Sequence, residues 1–236
     1  RPASDHLDQG HTRSDLVADL VFRGYTQEAA EAYVDQAIDD GRLVRTESRY
    51  TTPRAIAWEA QTLGIEASGR DSMWPIMPAE AAKERFANEP LNDGQRSAAE
   101  LVTTTPNRVV GIQGLAGTGK SHMLEIASAA LEEQGHKVTA LAPYSMQKKA
   151  LAELGVQAPT VASFLAAVDK GIDHKTVLVI DEAGVVPARQ MAELLKIAEA
   201  ANARVVLLGD TAQTQAIEAG RPFDQLLKSG MATATM

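Results

Sequence analysis

The chain has 236 residues, a formal net charge of −8 at pH 7, 44% hydrophobic residues and 23% charged residues. These values are typical of a soluble globular protein with one large or two small domains, and the negative balance argues against a nucleic-acid footprint spread over the whole surface. The chain has no cysteine, which excludes disulfides and thiol chemistry and predicts a cytoplasmic location. No apolar run is long enough to cross a membrane, so we expect no membrane insertion.

The first part of the chain predicts a small module of helices and a hairpin. Threonine caps open two amphipathic helices, and the pair Thr52-Pro53 is a cap followed by a proline at the first helical position. The predicted elements are helices at 12–22 and 26–38, a hairpin at 42–45 and 49–52, and a third helix from Pro53 to about residue 62. This order is the outline of a winged-helix-like α+β module, which we place at residues 1–88.

Four arginines surround the predicted hairpin, with Tyr50 among them: Arg42, Arg45, Arg49 and Arg54. One interpretation is a wing that grips phosphates. The other is a solvated hairpin whose arginines balance the carboxylates of Asp35, Asp39 and Asp40. The acidic surroundings favour the second interpretation.

Beyond this module the pattern changes to alternating strands and helices. Residues 64–78 contain Gly, Ser, Pro and Trp74 and predict a linker or crossing segment, and a helix is expected near 79–87. Apolar runs then predict strands at 108–113, 137–142, 176–180 and 204–208, with helices between them. Such an alternation predicts a parallel sheet covered by helices on both faces. We therefore predict an α/β, RecA-like nucleotide-binding domain at residues 89–236.

The most specific motif lies between the first of these strands and the helix that follows it. Residues 114–121 fit the phosphate-loop pattern Gly-x-x-x-x-Gly-Lys-[Ser/Thr]. Glycines let backbone N–H groups surround an anion, and the helix presents its positive end to it. The predicted ligands of ATP are Gly114, Gly117, Thr118, Gly119, Lys120 and Ser121. Lys120 is expected to reach the β- and γ-phosphates, and the Ser121 hydroxyl to bind Mg²⁺.

Polar residues follow two of the other predicted strands, where open parallel sheets bind their ligands. Asp181 is predicted to hold Mg²⁺, and Glu182 to orient the attacking water. Gln213, in the loop after the last strand, is predicted to contact the γ-phosphate. Gln95 has two possible roles that spacing alone does not separate: the third position of a capping box begun by Asn92, or a hydrogen bond to the adenine edge.

Together these segments resemble a known family. Residues 91–95, 114–121, 142–143, 181–182 and 209–213 resemble the Q motif and motifs I, Ia, II and III of superfamily-1 helicases, in their RecD-like subgroup. Residues 160–165 and 220–223 further resemble the helicase region of conjugative relaxase–helicases of the TraI/TrwC (MobF) type. The resemblance is firm over 91–236 and weaker over 1–90.

The resemblance implies ATP-driven 5′→3′ movement on single-stranded DNA. It places DNA contacts at Pro143, Tyr144, Thr160 and Ser163. Tyr144 departs from the pattern, because a small hydroxyl residue is usual there. Thr214 also departs, since leucine usually follows the position of Gln213.

The family pattern also implies parts beyond these motifs. The chain starts at Arg1 rather than Met and stops within an expected core strand, so we expect a fragment. A helicase of this type needs a second RecA-like domain that supplies an arginine finger, and this fragment alone should be nearly inactive. Two alternatives stay open: a RecD-like recombination or repair helicase, and a recruitment module, within residues 1–90, that the type IV secretion machinery recognises through its coupling protein.

Overall fold

The computed structural model describes residues 10–46, 49–115, 117–143, 159–210 and 221–236. Within these ranges the helices are α1 (Arg13–Phe22), α2 (Gln27–Asp39), α3 (Pro53–Ser68), α4 (Ala79–Phe86), α5 (Asp93–Thr104), α6 (Lys120–Glu133), α7 (Val161–Ala166), α8 (Ala188–Ala200) and α9 (Pro222–Lys228). The strands are β1 (Val44–Thr46), β2 (Arg49–Thr51), β3 (Val109–Gln113), β4 (Lys137–Leu141), β5 (Thr176–Ile180), β6 (Arg204–Gly209) and β7 (Thr233–Thr235).

Five parallel strands form the main sheet, in the order β4-β5-β6-β3-β7. Their side chains alternate between the two faces, as the pleat requires. Leu178 and Val205 pack with α8 on one face, whereas Val177 and Val206 pack with α5 and α6 on the other. Both faces of the inner strands β3, β5 and β6 are therefore buried, which explains why these three strands are nearly continuous apolar runs in the sequence. The predicted RecA-like α/β fold is confirmed.

The strand predictions are accurate to within one or two residues, but the predicted end of α3, near residue 62, is wrong. The helix continues through Gly64 to Ser68, where the sequence predicted a linker. A glycine inside a helix costs about 1 kcal/mol relative to alanine. That cost is outweighed by what the last turn buries, because Ile65 joins the core beneath the sheet and the Glu66 carboxylate pairs with Arg70 at 2.7 Å.

Helices α1 and α2 and the β1–β2 hairpin enclose a small core of their own, formed by Leu16, Val17, Ala30, Val34, Ala37 and Leu43. Thr12 and Thr26 cap the two helices as predicted. Leu43 was predicted to lie in the first strand, but it precedes β1 and fills this core. The order helix, helix, hairpin agrees with the predicted winged-helix-like outline.

The arginines near the hairpin contact neighbouring side chains and backbone. Arg42 pairs with Asp40 at 2.9 Å and lies over the ring of Tyr33, with its guanidinium carbon 5.1 Å from the ring centroid. Arg49 donates to the Gly10 carbonyl at 3.0 Å, and Arg54 lies over Trp58. These contacts favour the solvated-hairpin interpretation, and phosphate binding at this wing stays a prediction.

Helices α3 and α4 precede the predicted domain boundary at residue 88, yet both pack on helices that follow it. Ile65 of α3 packs in the same core as α8 and α9, and Phe86 of α4 packs with α5. Arg70, just after α3, also donates to the Ser229 carbonyl at the end of α9 at 2.9 Å. The division at residue 88 stays a prediction. Among the helices in the described ranges, none combines the length and apolar composition that a membrane crossing requires.

Arg204 fixes the segment between α3 and α4 to the amino end of β6. The residue is only 4% exposed. Its guanidinium donates to the carbonyls of Thr105, at 2.8 Å, of Asn107, at 3.3 Å, and of Trp74. Burial lowers the pKa of Arg204 to about 10, so the group stays charged at neutral pH. The carbonyl of Trp74 is thereby anchored, although the residue is 91% exposed.

Candidate functional site

The predicted phosphate loop connects β3 to α6, and its glycines have conformations that other residues rarely adopt. Gly117 and Gly119 have φ angles of +79° and +80°, in the left-handed region. At Gly114 a Cβ would lie 2.8 Å from the Thr118 hydroxyl oxygen. Gly119 occupies the cap position of α6, without any side-chain cap. The first N–H groups of α6 therefore face the loop, which is the arrangement that binds anions.

Lys120 points into this loop. Its ammonium donates to the carbonyls of Gly114, at 2.7 Å, and Leu115, at 3.3 Å. The Thr118 hydroxyl donates to the same Leu115 carbonyl at 2.8 Å. Ser121 follows on the exposed first turn of α6. A phosphate group in the loop would replace the two carbonyls as the partner of the ammonium, a charge-assisted and stronger hydrogen bond.

Asp181 and Glu182 follow β5 at the carboxyl edge of the sheet. The Asp181 N–H donates to the Leu141 carbonyl at 3.1 Å, and the Glu182 N–H donates to Asp181 Oδ1 at 3.0 Å. Glu182 adopts φ 49° and ψ 44°, an uncommon left-handed conformation for a residue with a side chain. Such conformations cost about 1–3 kcal/mol and are concentrated at functional sites.

The pKa shifts of Asp181 and Glu182 indicate that these two carboxyls and the Lys120 ammonium belong to one site. Burial raises the pKa of Asp181, while its own hydrogen bond from Glu182 and the positive charge of Lys120 act in the opposite direction. Burial also raises the pKa of Glu182, and the negative charges of Asp181 and Asp210 add to that effect. A half-buried carboxylate pair beside one ammonium fits a hard divalent cation, because Mg²⁺ prefers oxygen ligands and would offset the repulsion.

Replacing Asp181 with asparagine should stabilise the protein in Mg²⁺-free buffer. Because the folded-state pKa is raised, folding is most favourable below the unfolded value of 3.8 and loses stability as pH rises through the folded value. At pH 7 we expect Asp181→Asn to raise the free energy of unfolding by about 1 kcal/mol. The gain should shrink toward acidic pH. Urea unfolding from pH 4 to pH 8 measures it.

Asp173→Asn is the matched control for this substitution. The hydrogen bond from Thr176 lowers the pKa of Asp173, so removing its charge should leave stability unchanged or reduce it at pH 7. If both variants shifted stability in the same direction, the assigned desolvation of Asp181 would be wrong.

Gln95 fulfils the capping-box alternative and also contacts the phosphate loop. Asn92 Oδ1 accepts from the Gln95 N–H at 2.9 Å, and Gln95 Oε1 accepts from the Asn92 N–H at 3.0 Å. The Gln95 Nε2 donates to the Thr118 carbonyl at 3.0 Å. Nearby, a ring nitrogen of His122 lies 3.2 Å from the Pro90 carbonyl. The predicted contact of Gln95 with adenine stays a prediction.

The structure places three of the predicted DNA-contacting residues in neighbouring segments after β4. Ala142 forms an isolated parallel bridge with Thr160, and the Val161 N–H donates to the Ala142 carbonyl at 2.8 Å. Pro143 is buried. The Thr160 hydroxyl caps α7 by accepting from the Ser163 N–H at 3.1 Å. Tyr144 and Gln213 lie outside the described residues.

Phe223 is a neighbour of the site that the sequence analysis did not predict to have a structural role there. A Cβ on Gly209 would lie 2.6 Å from the Phe223 ring, so the ring packs directly on the backbone at the end of β6. The Gly209 carbonyl in turn accepts from the Gly114 N–H at 3.1 Å. Phe223 thus supports the strand end that holds the first residue of the loop. Two features of the sequence could have indicated this packing. Gly209 ends an apolar strand, and Phe223 directly follows Pro222, which begins a helix.

This chain is similar to one protein family and to several proteins of conjugation. A family described as AAA domain matches residues 90–236. The probable conjugal transfer protein TraA of Sinorhizobium fredii is 36% identical over 187 residues, which cover 76% of this chain and 17% of that protein. The conjugal transfer protein TraA of Rhizobium radiobacter is 35% identical over 195 residues, covering 80% and 18%. The multifunctional conjugation protein TraI of Escherichia coli is 30% identical over 171 residues, covering 66% and 9%.

The chain therefore spans less than a fifth of the length of the curated relatives it matches. The resemblance to the helicase region of conjugative relaxase–helicases, predicted from the motifs, is confirmed. Because the matched range covers more than half of the chain, the protein belongs to the AAA-domain family.

Proposed function

We propose that this chain is the ATP-binding half of a motor that moves 5′→3′ along single-stranded DNA during conjugative DNA transfer. The observation that carries the proposal is that Lys120 lies close enough to Asp181 and Glu182, at the carboxyl edge of the sheet, for its charge to act on the pKa of both carboxyls. The relatives named as conjugal transfer proteins support the biological setting. The cytoplasmic location predicted from the sequence belongs to the same proposal.

Each residue of the site has a proposed role. Residues 114–119 form the loop around the phosphates of ATP, and the Lys120 ammonium pairs with the β- and γ-phosphates. The Ser121 hydroxyl and the Asp181 carboxylate hold Mg²⁺, which when bound neutralises charge that develops on the transferred phosphoryl group. Glu182 orients the attacking water, and Gln213 contacts the γ-phosphate.

The DNA track and the completion of the active site are further parts of the proposal. Single-stranded DNA is proposed to contact Pro143, Tyr144, Thr160 and Ser163. Because Thr160 and Ser163 use their polar atoms to start α7, their contact with DNA would run through the exposed end of that helix. A second RecA-like domain of the full-length protein is proposed to add an arginine finger, whose loss costs about 10³–10⁵ in rate.

The ATPase rate of the full-length gene product, with and without single-stranded DNA, tests the function. Strong stimulation by DNA is the expected result, because a translocating motor couples hydrolysis to its track. The isolated 236-residue chain should hydrolyse ATP at least about a thousandfold more slowly than the full-length protein. A folded full-length protein whose ATPase ignores DNA would contradict the motor proposal.

A second candidate function is recruitment by the coupling protein of a type IV secretion system. It is favoured by aromatic side chains on α1, α2 and the turn between them. Phe22 is 92% exposed, and Tyr25 and Tyr33 are also exposed, with ring centroids 6.3 Å apart. Exposed aromatic groups on a small module are typical of protein interfaces. Loss of DNA transfer in a Phe22→Ser, Tyr25→Ser variant with normal ATPase would support this function.

A further inference from the structure

We propose that Gln95 positions the phosphate loop and thereby sets the affinity of the site for the triphosphate, independently of the base. The inference rests on the proposed nucleotide binding. Its central observation is the hydrogen bond from Gln95 Nε2 to the carbonyl of Thr118, at 3.0 Å. This bond joins the first turn of α5 to the middle of the loop, although the two residues are far apart in the sequence.

The bond fixes the direction of one particular N–H group. The Thr118 carbonyl and the Gly119 N–H belong to the same trans peptide, so they point in opposite directions. Holding the carbonyl toward α5 therefore directs the Gly119 N–H away from α5. Backbone N–H groups at this point of a phosphate loop are the groups that surround the phosphates.

The amide of Gln95 is itself held from both ends. Its Oε1 accepts from the Asn92 N–H at 3.0 Å, while Nε2 donates to Thr118. Gln95 is only 8% exposed, and α5 is anchored in the core by Ala98 and Val102. A donor that is fixed in this way orders the loop before the ligand arrives, which is how preorganisation raises affinity.

Any side chain at position 119 would have to displace the Gln95 amide from the loop. A Cβ on Gly119 would lie 2.4 Å from Gln95 Nε2. Glycine at position 119 therefore allows both the left-handed φ of +80° and the close approach of the Gln95 amide to the loop. Both polar atoms of the amide already have protein partners, which favours a positioning role over recognition of adenine.

Binding of ATP, GTP and tripolyphosphate, each with Mg²⁺, to the 236-residue chain and its variants separates the two roles. Gln95→Ala should weaken all three ligands by the same factor, roughly fivefold for one hydrogen bond. Gln95→Glu keeps an acceptor for the Asn92 N–H but loses the donor to Thr118, so it should weaken all three at least as much. Thermal unfolding confirms that each variant is folded at the temperature of the binding measurement.

Asn92→Ala is the matched control, because it breaks the capping box on the other side and leaves the donor to Thr118 in place. It should lower the unfolding temperature but keep affinity within about twofold. A loss confined to ATP would overturn the inference in favour of adenine recognition. An equal loss in Asn92→Ala, or no loss in Gln95→Ala, would also overturn it. If the unsubstituted chain bound none of the three ligands, the proposed function itself would fail.

Discussion

Replacing Lys120 with alanine is expected to abolish nucleotide binding while the chain stays folded. The ammonium is the one loop side chain that can pair with phosphate oxygens as a charge, and such bonds contribute about 1.5–3 kcal/mol each. Two phosphates share it, so affinity should fall by at least about a hundredfold. In the described residues its hydrogen bonds go only to the carbonyls of Gly114 and Leu115, so stability should change little. Equilibrium binding of MgATP and thermal unfolding measure the two effects.

Lys137→Ala provides a matched control for that experiment. Its ammonium also donates to a backbone carbonyl, that of Gly171, at 3.2 Å, but it lies at the start of β4, at the opposite edge of the sheet. Nucleotide affinity should be unchanged in this variant. A folded Lys120→Ala protein that binds MgATP as tightly as the Lys137→Ala protein would rule out the phosphate-loop assignment.

Glu182→Gln is expected to leave nucleotide binding intact and to stop turnover in the full-length protein. The glutamine keeps the size of the side chain but cannot accept a proton from water, and positioned acid–base groups contribute about 10²–10⁴ in rate. Since burial and the charge of Asp181 raise the pKa of Glu182, the unsubstituted enzyme should also lose activity as pH falls through that raised value. Single-stranded-DNA-stimulated ATPase, measured across pH, reports both effects.

Glu193→Gln makes the same chemical change on the exposed face of α8, where Glu193 pairs with Arg189 at 3.3 Å. Its ATPase rate should equal that of the unsubstituted protein at every pH. Turnover by Glu182→Gln within a few fold of that control would remove Glu182 from the mechanism.

Most of the fold and of the candidate site can be predicted from short stretches of the sequence. Strands β3, β5 and β6 are predicted by apolar runs because both of their faces are buried, and the caps at Thr12, Thr26 and Thr52 mark three helix starts. The phosphate loop is identified by the spacing of its glycines and its lysine, and the acid pair by its position directly after a buried strand. In these cases the residues that determine the structure are adjacent in the sequence.

What the sequence left open depends on contacts between distant segments. The end of α3 was missed because Gly64 signals a helix stop locally, whereas Ile65 is stabilised by a core that α8 and α9 complete. Gln95 was given two competing roles, since nothing near it in the sequence shows that Thr118 lies within hydrogen-bond distance. The burial of Arg204 could not be foreseen either, because its three carbonyl partners come from two separate connections.

The packing of Phe223 on Gly209 has a consequence for how the phosphate loop can be disturbed from outside. A Cβ at position 209 would lie 2.6 Å from the ring, so Gly209→Ala must displace either α9 or the end of β6. Since the Gly209 carbonyl accepts from the Gly114 N–H at 3.1 Å, a shift of that strand end moves the first residue of the phosphate loop with it. One added methyl group can thus weaken nucleotide binding without changing any residue that is proposed to bind the nucleotide.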